Sequence, residues 1–165
     1  MIVADAFTQA EKSLGTAEYL LFQTFQGLKD TKLLLAILEH LVTAADYAVS
    51  GYLEYLRSKK EIPPYNKTNF ELKISLIQKR GVEELGIDKK LPSTLLEMHH
   101  LTKLHKKSPV EFAAKAKYVM ADDGFNRVEV LTEQKIKAYY QQTQQFVAAC
   151  KAQYMGATAQ KQPKA

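Results

Sequence analysis

The sequence predicts an all-α protein, an antiparallel four-to-five-helix bundle with one irregular insertion. Two observations carry this reading. Apolar residues recur at alternating steps of three and four along most of the chain, which is the period of a helix face. The composition, 46% hydrophobic with only seven glycines and five prolines in 165 residues, suits one folded core of this size. Residues 1–155 are read as a single domain, and the polar stretch GATAQKQPKA at 156–165 as a disordered tail.

The elements follow in chain order. Residues 4–28 carry Phe7, Ala10, Leu14, Ala17, Leu21, Phe25 and Leu28 on one stripe, with Gly15 marking a close crossing or a break. Asp30 or Thr31 then caps a second helix over 32–59, where Leu34, Leu38, Leu41, Ala45, Val49, Tyr52 and Leu56 keep the spacing for seven positions. These two are expected to be the longest helices and to pair as an antiparallel hairpin. Pro63-Pro64 forbids continuation. A third helix is expected from Asn69 to Arg80, ending at Gly81, with Phe70, Ile74 and Ile77 inward, followed by a short turn over Val82 to Leu85. A fourth opens at Pro92-Ser93-Thr94 with Glu97 completing a capping box, and turns Leu95, Met98, Leu101 and Leu104 inward. Ser108-Pro109-Val110-Glu111 has Ser at the N-cap, Pro at the first turn and Glu three residues on, so it predicts a further helix start. Residues 118–131, YVMADDGFNRVEVL, are rich in Val, Tyr and Phe around Asp123-Gly124 and read either as a small hairpin or as an ordered loop. The last helix runs from Thr132 to about Met155, with Ile136, Thr143, Cys150 and Tyr154 facing inward.

Several function classes are excluded at this level. A single cysteine, Cys150, leaves no disulfide framework and no multi-cysteine zinc site. Its place on an inward stripe reads as packing rather than nucleophilic chemistry. No phosphate-binding loop, dinucleotide fingerprint or Gly-x-Ser-x-Gly elbow occurs. The N-terminus lacks the form of a signal peptide, and no apolar run approaches the roughly 20 residues of a membrane span. The expectation is a reducing cytoplasm and no membrane. Glu97-x-x-His100 has the spacing of half a di-metal site, yet no second Glu-x-x-His exists, so neither metal nor cofactor is expected.

Charge is unevenly spread. Residues 1–56 hold three lysines against seven carboxylates, whereas 57–117 hold fourteen Lys/Arg against seven. A one-sided basic surface and a polyanionic partner are therefore expected. Its centre is HHLTKLHKK at 99–107, where Lys103, Lys106 and Lys107, joined by Lys115, are the candidate nucleic-acid contacts and His100 and His105 the candidate proton-transfer pair. Tyr52, Tyr55, Tyr65, Tyr139 and Tyr140 are candidates for base stacking or for the core.

A hairpin of two long helices, two shorter ones and a polar close to the fourth resembles the HEPN domains, helical bundles of prokaryotic toxin–antitoxin and defence systems. The resemblance spans roughly residues 4–155. Active members carry an arginine four to six residues ahead of a histidine. Here His105 follows His100 at that interval, histidine stands in the arginine's place, and no arginine lies between Arg80 and Arg127. The resemblance implies a binding module contacting RNA or a protein such as a nucleotidyltransferase. It implies as alternatives a metal-independent ribonuclease using His100 and His105. From the residues themselves comes a third reading, an oligomeric bundle whose first two helices pair with a second copy.

The unpaired Glu97-x-x-His100 gives a first prediction. The melting temperature should be the same with added zinc, added iron or a chelator. A rise of several degrees that Glu97→Ala abolishes would overturn this.

Overall fold

The computed structural model describes residues 2–108 and 110–160, without the side chains of 107 and 157–160. Five helices and a small antiparallel sheet make up the described residues, so the protein is mostly helical but not purely all-α. Helix α1 (residues 3–28) runs Val3–Tyr19, passes through a π-helical turn at Leu20–Thr24 and closes as Phe25–Leu28. Lys29 stops it in a left-handed conformation (φ 53°), and Asp30 Oδ1 accepts the Lys32 amide at 3.0 Å to start α2 (Lys32–Ser58). Helix α3 (residues 70–85) starts where Asn69 caps the Leu72 amide, crosses a second π turn at Ile77–Gly81, and ends at left-handed Gly86 (φ 67°). Gly81 therefore lies inside the helix rather than ending it.

Helix α4 (Leu91–Lys107) begins without the expected capping box. Asp88 organises its entry by accepting the Lys90 amide at 2.7 Å. Thr94 turns back to the Lys90 carbonyl, and Glu97 instead accepts the Tyr139 hydroxyl at 2.8 Å. After α4 the chain enters a meander of β1 (Val110–Ala114), β2 (Lys117–Ala121) and β3 (Val128–Thr132), in sheet order β1-β2-β3. The last helix, α5, spans Glu133–Gln160. At 28 residues it is the longest, ahead of α2 at 27, and it carries residues 156–160 of the expected tail; 161–165 lie outside the described residues.

The helix start expected at Ser108-Pro109-Val110-Glu111 is a strand start (Pro109 lies outside the described residues). Both side chains that would have capped a helix are committed elsewhere. The Ser108 hydroxyl accepts the Ala121 amide at 3.2 Å and donates to the Ala121 carbonyl at 2.5 Å, tying the end of α4 to β2. Glu111 takes up His105 and Tyr118. The β1–β2 turn has no glycine: Ala116 itself adopts φ 63°. The β2–β3 turn bends at Gly124 (φ 79°) and Phe125 (φ 58°).

The core is organised around α2, whose stripe residues are all buried, together with Leu35, Ile37, Ala44, Ala48, Leu53 and Tyr55. By length and composition alone α2 is long and apolar enough to cross a membrane, with a mean hydropathy of 1.4 over its most apolar 18 residues, a test that buried core helices also meet. In the fold its apolar surface is taken up by α1, α3, α4, α5 and the sheet. Close approach to α1 depends on Gly51, where a Cβ would lie 3.1 Å from the Phe7 ring and 3.2 Å from the Ala6 Cβ. Gly15 marks neither a crossing nor a break: it is exposed, and a Cβ there would meet nothing within 4 Å. Leu28, at the end of the expected stripe, is exposed as well. Phe7 stacks on Tyr154, and Tyr55 meets Tyr154 edge-on, both with centroids 5.5 Å apart, which locks α1 and α2 to α5.

One charge sits inside this packing. Lys73 of α3, 2% exposed, donates to Asp46 Oδ1 at 2.5 Å and to Ser50 Oγ at 2.9 Å, both on α2. A buried ammonium that loses its carboxylate is costly, whereas an apolar replacement of similar length is tolerated. Asp46→Asn should cost about 1–3 kcal/mol in urea denaturation, and Lys73→Met less. Adding Asp46→Asn to Lys73→Met should change little further. Additive losses would show that Asp46 stabilises the fold by another route.

Candidate functional site

The site indicated by the sequence is the exposed side of α4, where helical spacing sends neighbouring residues into two hollows. Toward α2 lies a groove of about 510 Å³, lined by Glu39, Thr43, Asp46, Tyr47, His99, Thr102, Lys103 and Lys106 over a floor that includes Phe70. Toward the sheet lies a cleft of about 300 Å³, lined by His100, Lys103, Leu104, Asp122 and Arg127. Lys103 borders both.

The two candidate histidines are not brought together as an acid–base pair. His100 Nε2 lies 3.4 Å from Glu71 Oε1, the same oxygen that receives Lys103 Nζ at 3.0 Å. The Lys103 hydrogen bond and charge hold the Glu71 carboxyl below the usual carboxylate range. His105 faces the other way: Nδ1 lies 2.7 Å from Glu111 Oε1 and Nε2 3.7 Å from Glu39 Oε1. Glu111 also accepts the Tyr118 hydroxyl at 2.7 Å, and burial, then that bond, push the Tyr118 phenol up to about 12. His105 is thus a clasp joining α4, α2 and the sheet.

The candidate cations separate too. Lys103 is ion-paired, Lys106 stands on the groove without an ion pair among the described residues, and the Lys107 side chain lies outside them. Lys115 belongs to a different hollow of about 590 Å³, beside Phe25, Lys29, Asp30, Thr31 and Glu133. Of the candidate base-stacking tyrosines, Tyr52, Tyr55, Tyr139 and Tyr140 are buried, and Tyr65 donates to Glu54 at 3.0 Å.

Glu39, Asp46 and Arg127 were not among the residues expected here. The first two were legible in principle: Glu39, Thr43, Asp46 and Ser50, at steps of four, three and four, form a polar stripe on an otherwise apolar helix. Arg127 was not, because a backbone closure places it: Asp122 Oδ1 accepts the Arg127 amide at 2.8 Å and Arg127 O accepts the Asp122 amide at 3.0 Å. Cys150 is wholly buried, and burial pushes its thiol up, which removes it as a nucleophile. No group of three or more metal-ligating side chains occurs among the described residues.

The sheet presents a second feature. Tyr118, Met120 and Leu131 point to its buried face. The opposite face carries Val110 and Phe112 from β1, Val119 and Ala121 from β2, and Val128 and Val130 from β3. The inner face also holds Glu111 and Glu129, and the outer face Lys117 and Thr132, with the outer face's central Val119 and Ala121 buried. Phe112 and Val128 are each 49% exposed, and Phe125 on the adjoining turn 59%. Comparison with family models, curated sequences and solved structures finds no match for this chain.

His99 supplies a prediction with a definite sign. Its ring packs against Phe70 (centroids 4.6 Å apart), and burial, then the charge of Lys103, hold its pKa below the ordinary imidazole value of 6.5. Above pH 6.5 the imidazole is neutral in both states and its contribution is fully present. As the pH falls below that value the unfolded chain takes the proton first, so stability declines until the folded value is passed. Melting temperatures between about pH 7.5 and 5.5 should show this fall, and His99→Phe should flatten it. An unchanged slope in the variant would mean that other groups carry it.

Proposed function

We propose that this chain is a non-catalytic, cytoplasmic binding module that engages protein through the outer face of its three-stranded sheet. The observation that carries the reading is the margin of that face: Phe112 and Val128, each half exposed, with Phe125 beside them, present apolar side chains to solvent on either side of the buried Val119 and Ala121. Exposed apolar patches on small folded domains mark interaction sites more often than structural ones. The sheet has no need of a second apolar face for its own packing, since Tyr118, Met120 and Leu131 already bury the first.

The α4 surface supports catalysis and polyanion binding less well. Each candidate histidine is engaged by a carboxylate, and the groove interleaves Lys103 and Lys106 with Glu39 and Asp46. An incoming phosphate would meet those carboxylates as well as the lysines. The binding role agrees with what the HEPN resemblance implies for members lacking the arginine–histidine pair.

A photo-crosslinking residue at position 112 should give a discrete protein adduct in cells, lost when Val128→Asp is added and absent when the crosslinker is at Lys12. Single-stranded RNA titrated by fluorescence anisotropy should give no salt-dependent binding. RNA binding weakened by Lys106→Ala and indifferent to Phe112→Ser would overturn the proposal in favour of the basic face.

A further inference from the structure

We infer that the occupant of the sheet is a second copy of this chain, joined through antiparallel pairing of β1 with β1; this rests on the sheet-face reading above. The two outer strands differ. β3 runs directly into α5, and Lys135 of that helix reaches the Val130 carbonyl at 3.5 Å, a lysine guard of the kind that blunts an edge. β1 packs mainly against β2 alone and carries no lysine, bulge or proline from Val110 to Ala114. Its one charged residue, Glu111, points inward and is occupied by His105 and Tyr118. Within Val110–Ala114 the β1 edge carries no such guard, and its Ala114 end adjoins Lys115 and the hollow shared with Phe25, Asp30 and Glu133.

The sequence VEFAA says what can fill it. A strand added to β1 must continue the sheet's alternation, apolar on the outer face and small or uncharged opposite Glu111. β1 meets both demands itself. With a two-fold axis through Phe112, Phe112 faces Phe112 of the second copy, Val110 faces Ala114, and Glu111 faces Ala113. Shifting the axis by one residue to Glu111 would set two carboxylates side by side, so like-charge repulsion selects the Phe112-centred register. The two half-exposed phenylalanines then cover each other across the new strand pair. An isologous pairing of this kind closes on itself and leaves no edge to propagate. Five residues make a short contact, so the dimer is expected to be a concentration-dependent one.

The full chain should move from monomer to dimer mass in sedimentation velocity as its concentration rises through the micromolar range, and Phe112→Asp should hold it monomeric with an unchanged circular dichroism spectrum. Register is read by cysteine pairing, which the buried Cys150 does not disturb. Phe112→Cys should form a disulfide dimer under mild oxidation, because directly opposed strand residues lie within disulfide reach. Val110→Cys and Ala114→Cys should each fail alone and crosslink when mixed. A monomer at every concentration, or equal crosslinking at all three positions, would overturn the inference. A monomer that still yields the Val128-dependent adduct would leave the binding module standing with a different partner.

Discussion

The enclosure of α2 is the constraint on which the rest of the structure depends. Its apolar residues run almost all round the helix, so a single neighbour cannot bury them. Four helices and a sheet are needed, and each finds its place by covering part of that surface. Ala44, Ala48 and Gly51 let neighbours come close, and at Gly51 the contact with Ala6 and Phe7 leaves no room for a side chain to be added freely. Close packing of this kind fixes α1 in register and carries α5 with it through the Phe7–Tyr154–Tyr55 contacts.

The same helix decides the electrostatics. The first third of the chain is acidic and the middle basic, which as a string of charges suggests a polar molecule with one positive side. Folding wraps the basic α3 and α4 against the acidic α2. Asp46 meets Lys73 inside, and Glu39 and Asp46 emerge beside Lys103 and Lys106 outside. Segregation along the chain becomes interleaving in space. The histidines follow suit, each held by a carboxylate from a different element rather than facing its sequence neighbour.

The sheet is the part of the molecule least determined by α2. It is anchored at its α4 end by two small devices, the Ser108 hydroxyl on Ala121 and the His105–Glu111–Tyr118 clasp, while β1 stands outward. An inserted meander that leaves Phe112, Phe125 and Val128 in solvent adds little that a helical bundle requires. Its two edges are treated unequally, with Lys135 over β3 and no lysine within β1, and the proposed pairing of two copies uses the second.

By itself the sequence determined the helices, because a 3.6-residue period of large apolar side chains has few other ways to leave water. The stripes of α2, α3 and α4 and the inward residues of α5 were all legible, down to Thr143 and Cys150. Tertiary structure decided everything that local signals leave degenerate. Ser108 and Glu111 have the right spacing for a capping box, but the fold gives both side chains partners on other elements, Ala121 for one and His105 and Tyr118 for the other. The run from Val110 to Ala121 is rich in alanine and lysine and turns at Ala116 without a glycine, so nothing local announces a hairpin. The partners of the candidate site residues were out of the sequence's reach for the same reason. Which carboxylate stands opposite a lysine is a property of packing, and no count of charges along the chain contains it.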